Sequence, residues 1–121
     1  MNIENLIEEL KNEVDYSKIA KELLKRLKKR LSREGVKSVK LVAYGSRVRS
    51  DYRWDSDLDI LVLVKSDKIS RKIRNIVSDE AFEISWKFQI PVSVMVYTEE
   101  DFVHERTPFL KEVKNYGRVF E

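Results

Sequence analysis

Cysteine is absent from the 121 residues, which excludes a disulfide framework, a thiolate metal site and a cysteine nucleophile. Glycine occurs three times and proline twice, so long, closely connected elements are expected rather than loops or disorder. Long hydrophobic runs are missing too. The stretch from Ile60 to Val64 is among the longest, far short of the roughly 18 to 20 apolar residues of a membrane span. The first residues, MNIENLIEELKNE, are acidic and amphipathic, whereas a secretory signal needs a positive start followed by an apolar block. The expectation is a cytoplasmic protein with no membrane partner. Its length suits a single domain, spanning residues 1–121, that buries roughly two-thirds of its unfolded surface in one core.

Charge is abundant and segregated. The net value of +3 conceals an acidic start, where residues 1–15 carry five acids and one lysine. Residues 16–53 hold thirteen Lys or Arg against three acids, a local charge of +10, and the remainder is mildly acidic. A polyanion such as a nucleoside triphosphate or RNA is the expected neighbour of such a zone. Lys21, Lys25, Lys28 and Lys29 taken alone read equally well as a solvated helix face.

Between Tyr16 and Arg33 the apolar residues Ile19, Ala20, Leu23, Leu24, Leu27 and Leu31 form a helical stripe that Gly35 can end. Ile3, Leu6, Ile7 and Leu10 predict a short leading helix before it, so residues 1–34 read as N-terminal helices. Residues 36–45 have the β-branched density of a strand, and Leu58 to Val64 is apolar on both faces, as a central strand should be. Asp67 to Phe88 reads as a long amphipathic helix, and Pro91 permits a new strand through Tyr97, completing a core over 36–97. Thr98 with Asp101, and Thr107 before Pro108, predict two short helices within residues 98–121, the second closed by Gly117. The fold class is α+β, a small mixed sheet packed with helices.

Chemistry concentrates in YGSRVRSDYRWDSDLDILVLV, residues 44–64. Positions i and i+2 of a strand face one side about 6.6 to 6.8 Å apart, so Asp57 and Asp59 can grip a common metal ion. Hard oxygen ligands suit Mg²⁺ or Mn²⁺. Gly45 lets the backbone approach a phosphate, and the Ser46 hydroxyl with neighbouring N–H groups can bond its oxygens. Arg47, Arg49 and Arg53 lie in the same stretch, where guanidinium groups offset triphosphate charge. These are the parts of metal-assisted nucleotidyl transfer, with Asp57 and Asp59 as catalytic and metal-binding candidates. Gly45, Ser46, Arg47 and Arg49 are the nucleotide-binding candidates. His104, the sole histidine, reads as exposed, Trp54 as a loop residue able to stack or to pack, and Tyr44 as a core-edge position.

Gly45 and Ser46, followed about ten residues later by Asp57 and Asp59 among apolar neighbours, resemble the signature of the polymerase β-like nucleotidyltransferase superfamily. The Gly-Ser-x-x-Arg start, Gly45 to Arg49, looks like the stand-alone minimal nucleotidyltransferases of archaea and bacteria. That resemblance implies transfer of NMP, AMP from ATP, to a hydroxyl acceptor. It also implies a tyrosine of a helical HEPN toxin as acceptor, with this chain as antitoxin. Self-association is a further expectation. The chain departs from the family pattern twice: Ser50 stands where glycine often follows the loop arginine, and Ser93 stands where the next strand usually supplies a third carboxylate. A neutral hydroxyl is not a strong metal ligand or a base at neutral pH. Two other readings follow, a degenerate nucleotidyltransferase fold that binds nucleotide or a partner without chemistry, and an RNA-binding module using Lys18 to Arg53.

Overall fold

The computed structural model describes residues 2–49 and 57–121. Helix α1 runs unbroken over Ile3–Leu31, so the expected leading helix and the helix after Tyr16 are one element. No glycine or proline interrupts that stretch, and backbone hydrogen bonding carries through the change of charge at its middle. Asn2 caps its start by accepting the Glu4 amide, 2.9 Å away. Strand β1 follows at Val39–Tyr44, then a single helical turn α2 (Ser46–Arg49), β2 (Leu58–Val64), α3 (Arg71–Phe88) and β3 (Val92–Thr98). Helix α3 starts four residues later than its apolar spacing predicts, because Ser70 caps it by accepting the Ile73 amide and Asp67 stays outside. Two short helices, α4 (Glu99–Val103) and α5 (Pro108–Tyr116), are capped by Thr98 and Thr107 as expected.

The sheet order is β3-β2-β1-β4, with β2 antiparallel to β1 and parallel to β3. Strand β4 (Arg118–Phe120) falls in a segment read from sequence as helical, and it pairs antiparallel with β1. Three residues are too few for an alternating pattern to show. Gly117 makes the crossing possible, since a Cβ there would overlap Val42 and lie 3.3 Å from the Ala43 carbonyl oxygen.

Side chains alternate between two layers. Val39, Leu41, Ala43, Leu58, Ile60, Val62 and Val64 face α1 and α3 and form the main core with Ile19, Leu23, Leu27 and Leu31. Val42, Leu61 and Leu63 face the other way, under Leu110 and Val113 of α5. A seam of charge joins α1 to α3, where the buried Glu80 meets Arg30 at 3.1 Å and Arg26 at 3.4 Å, and Lys87 meets Glu22. Among the described residues, no helix is long and apolar enough to cross a membrane.

Candidate active site

The antiparallel ladder sets Tyr44 opposite Asp59, so the residue before Gly45 and the second acid of the pair are direct neighbours across the sheet. Gly45 adopts φ 83°, a left-handed conformation that costs a side-chain-bearing residue. Packing adds a second requirement, since a Cβ on Gly45 would overlap Asp59 Oδ2 and sit 3.3 Å from its Cγ. The glycine therefore serves two ends at once, turning the chain after β1 and making room for the carboxylate. Its carbonyl accepts the Val48 amide at 3.2 Å, which closes α2 over Ser46–Arg49.

Asp59 is half-buried on β2, and Asp57, just before the strand, is exposed. Burial, together with the negative charge of Asp57, pushes the Asp59 carboxyl above its ordinary value. Among the described residues, no hydrogen bond or ion pair reaches either carboxylate. Two hard oxygen donors that repel each other, with no counter-charge bonded to either among the described residues, match what Mg²⁺ or Mn²⁺ takes as ligands. The parallel ladder sets Ser93 opposite Asp59 on the other side, exposed and on the same face. The position at which the family resemblance expects a third carboxylate is thus beside Asp59 in register, and it holds a hydroxyl. Among the described residues, no cluster of three acids or histidines able to hold a metal is present. Glu99 does not fill the gap, because it sits beyond the far end of β3 and bonds Lys40 at 2.8 Å.

Ser46 is half-buried beside the turn, and Arg47 is only 3% exposed and engaged with a partner. Arg49 ends α2 in backbone, while its side chain, and Ser50, Tyr52, Arg53 and Trp54 entirely, lie outside the described residues. His104 is exposed at the end of α4, as expected. The lysines Lys18, Lys21, Lys25, Lys28 and Lys29 are exposed on α1 and form no ion pair among the described residues.

Tyr44 lies at the core edge, as the sequence reading has it, but its place beside Asp59 was not foreseen. Its ring packs edge-on against Phe109 of α5, with centroids 5.4 Å apart, and Phe109 in turn lies 6.2 Å from Tyr97. Burial, with Asp59 and Tyr97 nearby, pushes its phenol up to about 12, so it stays protonated beside the carboxylate. The signal was present in its place directly before Gly45, once the hairpin register to Asp59 is drawn.

A four-stranded mixed sheet, with a glycine turn after one strand facing an acid pair on the next, defines a nucleotidyltransferase fold. The structure is similar to a crystal structure described as a "putative nucleotidyltransferase from Sulfolobus solfataricus", with a TM-score of 0.61, 23% identity, and coverage of 93% of this chain and 86% of the other. In sequence, the chain is 32% identical over 117 residues, 97% of each protein, to a Methanocaldococcus jannaschii protein named "putative protein adenylyltransferase". The family model described as "Nucleotidyltransferase domain" matches residues 20–119, and this chain belongs to that family.

Proposed function

We propose that this chain is a metal-dependent adenylyltransferase that moves AMP from ATP onto a hydroxyl group of a partner protein. The observation that carries the reading is the contact between Gly45 and the Asp59 carboxylate, with Asp57 beside it and no counter-charge for either among the described residues. Family membership supports nucleotidyl transfer in general, and the name of the Methanocaldococcus relative supports AMP and a protein acceptor.

In this reading the triphosphate lies against the Gly45–Ser46 turn, where backbone N–H groups and the Ser46 hydroxyl meet its oxygens. Arg47 and Arg49 offset its charge. Asp57 and Asp59 hold Mg²⁺ or Mn²⁺, which when bound supplies positive charge to the phosphate oxygens. The acceptor oxygen forms a bond to the α-phosphorus as the bond to the β-phosphate breaks in line, and pyrophosphate leaves. The acceptor proton passes to an aspartate or to solvent. The acceptor we favour is a tyrosine of a HEPN-domain partner, with this chain as its antitoxin. The Gly-Ser-x-x-Arg start supports that choice.

With α-labelled ATP, Mg²⁺ and the partner, the wild-type chain should label the partner. Asp57→Asn/Asp59→Asn should lower the rate about a thousandfold or more. Equal labelling by the double variant would end the proposal.

Ser93 opposite Asp59 supports a second reading, a non-catalytic fold member that binds nucleotide or a partner. On that reading Ser93→Asp creates transfer where the unmodified chain has none, and robust turnover by the unmodified chain excludes it.

A further inference from the structure

The end of the sheet opposite Asp57 and Asp59 carries a cavity of about 750 Å³, lined by Lys37, Lys65, Ser66, Lys68, Ser70 and His104 among others. It lies beyond the carboxyl ends of the parallel strands β2 and β3, past Val64 and Thr98. Asp59 and Val64 are five positions apart on β2, about 17 Å at strand rise, so this cavity is separate from the candidate active site. Its size falls within the roughly 300 to 1,000 Å³ typical of small-molecule sites.

Charge in the cavity is unequal once each side chain is traced to its partner. Three of the four lining acids are held from outside. Glu34 pairs with Lys72 at 3.1 Å, Glu99 with Lys40 at 2.8 Å, and Glu100 with Arg106 at 3.4 Å, and none of these three cations lines the cavity. Asp67 is the fourth acid and has no ion pair among the described residues. Against it stand Lys37, Lys65 and Lys68, which also form no ion pair among the described residues, although Lys65 lies close enough to Glu99 to help hold its carboxyl low.

These lysines come from two segments brought together by the sheet. The Lys37 amide donates to the Lys65 carbonyl at 3.1 Å, and the Lys65 amide donates to the Ser38 carbonyl at 2.9 Å, so the two backbones are locked side by side. Ser66 Oγ donates to the Lys68 carbonyl at 3.1 Å and fixes the turn that carries the third lysine. Held positions reduce the ordering cost of gripping a small anion. The Ser66 and Ser70 hydroxyls and the His104 ring add hydrogen-bonding groups to the same walls.

We propose that this cavity is a second anion site, taking a phosphate-bearing small molecule on Lys37, Lys65 and Lys68. It does not depend on the catalytic reading, and its test is arranged to keep the two apart. The experiment uses the full chain carrying Asp57→Asn/Asp59→Asn, with divalent ions chelated, titrated with inorganic pyrophosphate at fixed pH and ionic strength. His104 is the sole histidine, so its ring resonances report on the cavity without ambiguity in a proton NMR spectrum. The expected result is a saturable shift of the His104 signals. Lys65→Ala/Lys68→Ala in the same background, both exposed positions, should weaken the apparent affinity about tenfold or more. Unmoved His104 signals, a shift matched by sodium chloride at equal ionic strength, or unchanged affinity in the double lysine variant would each overturn the proposal.

Discussion

Glu80 and Asp59 are both carboxylates drawn out of water, one on the seam between α1 and α3 and the other at the rim of β2. Glu80 receives two guanidinium groups, Arg26 at 3.4 Å and Arg30 at 3.1 Å. Asp59 receives a second negative charge from Asp57 and a protonated phenol nearby, with its carboxyl raised. Where a charge serves the architecture, the chain provides the counter-charge itself. At Asp57 and Asp59 no counter-charge is bonded among the described residues, and an unpaired, partly desolvated acid is unfavourable until a cation reaches it, which is the premise of the proposed function.

That contrast can be tested from both sides. The largest effect is expected from Gly45→Ala, which forces a side chain into the Asp59 carboxylate at a positive φ. Label transfer should fall about a hundredfold or more while the far-ultraviolet circular dichroism keeps its helical signature, because the collision moves a site residue and not the core. An alanine variant with full activity would show that the Gly45 contact does not set the site.

Next in size is Glu80→Ala on the seam, which strands Arg26 and Arg30. Both arginines keep about a third of their side-chain surface in water, so the loss should be about 1 to 2 kcal/mol in urea denaturation, below that of a fully buried pair.

Asp59→Asn should do the reverse. A carboxyl raised by folding costs stability when ionised, so the cost is present at neutral pH and vanishes as pH falls below the ordinary carboxylate range. The asparagine variant should accordingly melt at a higher temperature than the parent at pH 7, without metal, and lose that advantage near pH 3. A variant that melts lower at pH 7 would mean Asp59 is internally paired like Glu80, and the contrast would collapse.

The smallest effect belongs to Lys72→Ala. Its bond to Glu34 is 3.1 Å, yet 70% of the lysine side chain is exposed, and the change in stability should stay within about 0.5 kcal/mol.

The acid pair and the glycine turn were legible in the sequence because their logic is local. Two residues apart on a strand means one face, and a glycine at a strand end means a bend. The central strand was legible as an apolar run from Leu58 to Val64, and it lies where that run put it. What escaped is non-local or too short. Arg26 and Arg30 stand 54 and 50 residues from Glu80, and no spacing rule joins them. Strand β4 has three residues, and the continuity of α1 rests on backbone bonding through a stretch whose charge pattern reads as a boundary. Tyr44 needed the hairpin register before its phenol could be set beside Asp59. The roles given to Ser46, Arg47 and Arg49 still rest on their position in the motif.

The pairing of Tyr44 with Asp59 has an evolutionary consequence. Because the pairing of β1 with β2 sets Tyr44 opposite Asp59, changes along the two strands that keep this register also keep the Gly45 turn against the Asp59 carboxylate. Sequence drift that spares the strand register therefore carries the bend and the acid forward together.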